Sequence, residues 1–111
     1  MYHVNTTETA ERDLLDAALY IAQTLSNKVA ANRLLDKADT AAKSLSQNPM
    51  RQPLVKDKFL AAKGLRSLPV SNYLLFYVIR EKSSCVNIIR FIHSRRDWSN
   101  LFDENIFENI T

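Results

Sequence analysis

One glycine, Gly64, in 111 residues excludes a glycine-rich phosphate loop and a dinucleotide-binding fingerprint, which both need several glycines to bring backbone up to a phosphate. Cysteine is equally scarce. Cys85 stands alone, so no internal disulfide can form, and its place in an apolar strand pattern predicts a buried, inert thiol. Two histidines and that cysteine stand at no ligand spacing, so neither a metal site nor a cofactor is expected. Ser94, His93 and Asp97 contain the residue types of a hydrolase triad, but neighbours in sequence cannot easily meet its geometry. No apolar run approaches the roughly 20 residues that a membrane span needs. Met1-Tyr2-His3-Val4-Asn5 lacks the basic start and apolar stretch of a secretory signal. A cytoplasmic protein without a membrane partner is the expectation.

What is present suits one folded domain over residues 1–111, with 46% hydrophobic and 24% charged residues. The net charge of +3 is unevenly distributed. Residues 1–50 hold five basic and six acidic side chains, a net of −1, and residues 99–111 hold Asp103, Glu104 and Glu108, a net of −3. Residues 51–98 hold ten basic side chains against Asp57, Glu81 and Asp97, a net of +7. That middle segment is a candidate surface for a polyanion or an acidic protein. Solvated strand edges, where lysines oppose edge-to-edge pairing, would give the same composition.

Residues 2–6 alternate as a short strand. Thr6 or Thr7 can cap a helix whose first turn holds Glu8 and Glu11, suited to the positive end of the dipole. Leu14, Ala18, Ile21, Ala22 and Leu25 recur at helical spacing until Ser26-Asn27 interrupts them. A second stripe, Ala31, Leu34, Leu35, Ala38, Ala41, Ala42 and Leu45, ends before Asn48-Pro49, and the alanines predict close approach of the two helices. Residues 50–63 read as a loop with at most a short strand. Strands are predicted over 65–70, 73–80 and 85–93, joined by tight turns at Val70-Ser71-Asn72-Tyr73 and Glu81-Lys82-Ser83-Ser84. Trp98, Leu101 and Phe102 predict a short C-terminal helix pinned to the sheet, and the tail beyond could fray or cover a basic surface. The expected architecture is α+β, in the order β-α-α-β-β-β, with a helical hairpin on one face of a mostly antiparallel sheet.

The chemistry available is a basic site with one titratable group. Arg66, Arg90, Arg95 and Arg96 offer planar forks for phosphate or carboxylate, and His93 can exchange a proton near neutral pH. Side chains alternate along a strand, so Arg90 and His93 face opposite ways unless a bulge intervenes. A structural role is equally open for His93, packing the strand end, and an Arg96–Asp97 pair could fix the turn.

The words GLR-x-LPV over Gly64–Val70, YLLFY over Tyr73–Tyr77, IIRFIH over Ile88–His93 and the following Ser-Arg-Arg-Asp resemble the RelE/ParE superfamily of bacterial toxins, closer to its ParE-like branch. The resemblance implies the same element order, a plasmid-stabilisation-like toxin–antitoxin module, and a small acidic antitoxin as partner. By the match, Arg66, Tyr73, His93, Arg96 and Asp97 are the family-pattern positions. It implies one of three activities: inhibition of DNA gyrase by binding, ribosome-dependent cleavage of messenger RNA, or a degenerate member that binds antitoxin alone. The nuclease branch commonly has an arginine directly after the tyrosine opening the middle strand, where this chain has Leu74. As an endoribonuclease it would use His93, Arg95 and Arg96. Lys63, Arg66, Arg90, Arg95 and Arg96 are the expected contacts to target or antitoxin.

Overall fold

Thr7 opens the helical half of the molecule: its hydroxyl accepts the Ala10 N–H at 3.2 Å, as an N-cap requires. The computed structural model describes residues 1–108. Strand β1 (His3–Thr6) leads into helix α1 (Glu8–Leu19), which continues as a π-helical turn at Tyr20–Thr24, where the Leu25 N–H reaches the Tyr20 carbonyl at 3.2 Å. Ser26 then reverses the chain with a φ of 51°, and Asn27 caps α2 (Lys28–Ser44) by accepting the Ala30 N–H at 3.0 Å. Buried Ala10, Ala18, Ala31 and Ala38 allow the hairpin to pack closely on itself and the sheet.

Residues 50–63 differ from the expected loop. A 3₁₀ turn (Pro49–Arg51) precedes a short helix, α3 (Lys58–Ala62), capped by Asp57, which accepts the Leu60 N–H at 3.0 Å. Five residues are too few to display a periodicity, so this helix left no pattern to read. Leu54 forms a lone bridge to Arg66, the remnant of the short strand considered there. Strands β2 (Arg66–Val70), β3 (Tyr73–Arg80) and β4 (Cys85–His93) follow within a residue of expectation. The described residues end with a 3₁₀ turn (Ser99–Leu101) and α4 (Glu104–Glu108), the expected short C-terminal helix.

The four strands form one sheet in the order β1-β4-β3-β2, with β1 parallel to β4 and the other pairs antiparallel. Alternate side chains feed two cores. Leu68, Val70, Leu75, Tyr77, Val86, Ile88 and Phe91 meet the helical hairpin, while Phe76, Val78, Ile89 and Ile92 meet Leu60 of α3 and Phe102 and Phe107 of the C-terminal segment. The second face is thus sealed by α3, which left no pattern to read, and by the C-terminal segment that Trp98, Leu101 and Phe102 marked in the sequence. Tyr77, fully buried in the first core, donates its hydroxyl to the Pro49 carbonyl at 2.6 Å. Cys85 opens β4 half-buried, not buried as expected, because it stands at the strand end, with Sγ 3.4 Å from the Ser83 carbonyl.

The register of β3 on β4 shifts between Phe76, opposite Arg90, and Tyr77, opposite Ile88. Ile89 is the extra residue, a β-bulge. The hairpin-facing set therefore steps from Ile88 to Phe91 instead of by twos. This bulge decides where the candidate site residues point.

Candidate functional site

Strand β1 pairs with β4 only as far as Ile88, which leaves residues 89–93 as a sheet edge beside α1. Two side chains of the first helix close that edge. The Thr7 hydroxyl donates to the Ile89 carbonyl at 3.3 Å, and the Asp13 carboxylate accepts the Phe91 N–H at 3.0 Å. Asp13 also receives Arg90, with Nε to Oδ2 at 2.7 Å and Nη2 to Oδ1 at 3.1 Å, while Nη1 donates to the Leu101 carbonyl at 3.1 Å. Each side chain is under a fifth exposed, 16% for Arg90 and 17% for Asp13. Arg90 clasps the hairpin to the C-terminal segment, with a donor on each of its three nitrogens engaged inside the molecule.

Past the bulge, β4 ends in the rim. Tyr73 and His93 form the terminal pair of β3 and β4, and the Ser94 N–H donates to the Asn72 carbonyl at 2.8 Å. The Tyr73 ring stacks on Phe91 at 5.0 Å and meets the His93 ring edge-on at 5.1 Å. Burial is the main force raising the Tyr73 phenol above its ordinary pKa, with neighbouring Tyr20 adding to it. His93 Nδ1 accepts the Arg95 N–H at 3.2 Å, and the Arg96 N–H donates to the His93 carbonyl at 3.0 Å. The histidine thereby shapes the turn that projects Arg95 and Arg96 into solvent. Asp97 does not pair with Arg96; its two oxygens accept from Ser99 Oγ at 3.0 Å and Asn100 Nδ2 at 3.2 Å, which fastens the following turn. Asp13, Asp16, Tyr20, Tyr73, His93 and Arg96 line a cleft of about 250 Å³. Arg90 borders the same cleft as His93 although the unbroken register between them puts the two on opposite faces, because its side chain wraps the edge of β4 to reach Asp13.

Lys63 and Arg66 lie elsewhere. Arg66 is opposite Tyr77, four residues along β3 from the Tyr73–His93 pair, or about 13 Å at the rise of a strand. Its guanidinium donates to the Gln52 carbonyl, and the Lys63 ammonium sits 5.6 Å from the centre of the Phe59 ring. The basic residues of 51–98 therefore do not converge on one spot. Two residues that did not stand out in the sequence border the rim instead: Arg33 and Lys37 of α2 line a hollow with Asn72 and Tyr73. Their i, i+4 spacing was visible, but they belong to a segment of net charge −1, and only the fold brings α2 to this turn.

Among the described residues, no helix is long and apolar enough to cross a membrane. No curated protein sequence matches this chain. Solved structures do resemble it. A chain of the RelBE2 toxin–antitoxin complex from Mycobacterium tuberculosis is 26% identical with a TM-score of 0.62, the match covering 83% of this chain and 96% of that one. A chain of the chromosomal ParDE system from P. aeruginosa shares the fold with a TM-score of 0.68 at 16% identity, covering 84% and 96%. The family model described as the ParE toxin of the type II toxin–antitoxin system parDE matches residues 4–98. That match runs from within β1 through the hairpin, every later strand and the rim to Trp98, and the chain belongs to the ParE toxin family of type II toxin–antitoxin systems.

Proposed function

We propose that this toxin acts by binding and inhibiting DNA gyrase in the cytoplasm, without covalent chemistry of its own, and that a small acidic antitoxin holds it in check. The observation that carries the reading is the state of His93. Its Nδ1 accepts the Arg95 N–H at 3.2 Å, so the ring is tied into the turn. That contact gives the ring a structural task in the turn, which supports a binding role over general-base chemistry. Leu74 adds support: it packs beside the second core, an apolar side chain where the nuclease branch commonly has an arginine. Arg95 and Arg96 remain as exposed cations on a turn held by backbone hydrogen bonds, a preorganised contact for an acidic protein surface.

The antitoxin follows from family membership and from the net +7 of residues 51–98. A disordered acidic segment ordering on this surface would bury apolar contacts as well as charge, so binding should persist at moderate salt.

The test is a pair of assays on purified protein. Inhibition of gyrase supercoiling with intact messenger RNA in a ribosome-programmed reaction supports the proposal. Codon-positioned cleavage of the message with no effect on gyrase would falsify it and favour the endoribonuclease reading, with His93, Arg95 and Arg96 as its machinery.

A further inference from the structure

We infer that the furrow between α2 and the β2–β3 turn is a docking site for an extended peptide in which carboxylates bracket an apolar side chain. The inference rests on the antitoxin reading above for the source of that peptide. The furrow has two adjoining hollows that share Arg33, Lys37 and Ser71. The inner, of about 290 Å³, is walled by Ile21, Leu25, Leu34 and Tyr73. The outer, of about 400 Å³, runs past Thr40 to Pro69. Arg33 and Lys37 stand one helical turn apart on the rim, both exposed, and neither forms an ion pair among the described residues. Leu25, 56% exposed, lies at the same rim where the π-helical turn ends.

Charge and shape together select the occupant. An apolar floor with a cationic lip suits a buried aliphatic or aromatic side chain whose neighbours carry carboxylates, since Arg33 offers a fork and Lys37 a point charge. A nucleic acid strand fits less well. It carries a charge at every nucleotide, whereas this lip offers two cations and includes the Asp36 carboxylate. Asp39, the next carboxylate along the helix, is engaged by Lys43 at 2.9 Å and does not compete for Arg33 or Lys37.

The experiment is selection of a random-peptide phage library on the purified wild-type protein, with Arg33→Glu/Lys37→Glu as the second target. Unchanged circular dichroism and melting temperature qualify that variant, and Arg33→Ala/Lys37→Ala replaces it if folding is impaired. The expected consensus is an apolar residue flanked by Asp or Glu, with affinity falling about 30-fold or more on charge reversal, the scale of two opposed rim charges. Binding should shift the amide resonances of Ser71, Asn72 and Tyr73. A consensus without acidic residues, undiminished binding to the variant, resonance shifts confined to another face, or displacement of the peptide by a short oligothymidylate each overturns the inference. The cognate antitoxin, if the adjacent gene encodes one, separates the two readings. Wild-type affinity for the charge-reversed variant removes the site and leaves the module standing. Absence of any such partner, with the acidic–apolar consensus intact, removes the module reading and leaves the site.

Discussion

Arg90 reaches around the free edge of β4 to bind Asp13 through two nitrogens, at 2.7 and 3.1 Å, while its third nitrogen holds the Leu101 carbonyl. One side chain thus joins the helical hairpin to the segment that seals the opposite face of the sheet. Asp13 simultaneously satisfies the Phe91 N–H, a donor that β1 is too short to reach. Removing either partner leaves a largely buried charge unpaired. Asp13→Ala and Arg90→Met should each destabilise the protein by about 3–5 kcal/mol, whereas Asp13→Leu combined with Arg90→Met should recover much of that loss. Urea midpoints measured for the three proteins decide it; single variants within about 1 kcal/mol of wild type would show that the clasp contributes little.

The buried Tyr77 hydroxyl makes a second prediction, about pH. Burial is the largest influence on this phenol and raises its pKa above the ordinary 10.0, with Arg66 and Arg51 pulling the other way. The folded state therefore keeps the proton to higher pH than the unfolded state, so stability falls as pH rises above about 10. Tyr77→Phe should lessen this contribution to the alkaline loss. The same change leaves the Pro49 carbonyl without its donor and should cost about 1–2 kcal/mol at neutral pH. Thermal melts across the alkaline range test both statements. An unchanged pH slope in the variant would assign the loss to other groups, Tyr73 first among them.

With one glycine in the chain, three reversals fall to serine: Ser26, Ser71 and Ser84 all have positive φ, at 51°, 56° and 52°. A left-handed conformation is unfavourable for an L side chain and neutral for glycine, although glycine loses more entropy on folding. Ser84→Gly should therefore raise the melting temperature by up to about 4 °C. Ser83→Gly, one residue earlier and without a positive φ, should lower it. Equal effects from the two substitutions would show that backbone strain at Ser84 is negligible.

At the rim, Arg95→Ala combined with Arg96→Ala should abolish growth arrest while leaving folding intact, because both side chains are exposed and make no recorded side-chain hydrogen bond or ion pair among the described residues. His93→Ala should cost about 1 kcal/mol of stability through the lost Arg95 N–H acceptor, with most toxicity retained. Growth curves after induction, with melting temperature as the folding control, check both outcomes. A fully toxic double variant moves the binding surface away from this turn, and a severe loss from His93→Ala alone favours the nuclease.

Most of the fold was legible because it is written in local periodicity. Leu14, Ile21 and Leu34 recur at helical spacing, and the apolar runs 73–80 and 85–93 are rich in β-branched and aromatic residues, patterns that hold whatever the rest of the chain does. Helix α3 was not legible, since five residues show no period and Asp57 signals only a cap. The membership of the rim was read in part: His93, Arg95 and Arg96 follow a strand end wherever that strand lies. What tertiary structure alone decided is which charges meet. Arg90 reaches around the sheet edge to pair with Asp13, 77 positions away in sequence. Strand register keeps Arg66 about 13 Å from the rim at the rise of a strand, and helix packing brings Arg33 and Lys37 beside it from a segment of opposite net charge. Composition sums charge along the chain, but electrostatic interaction depends on distance in space, which only the packed register determines.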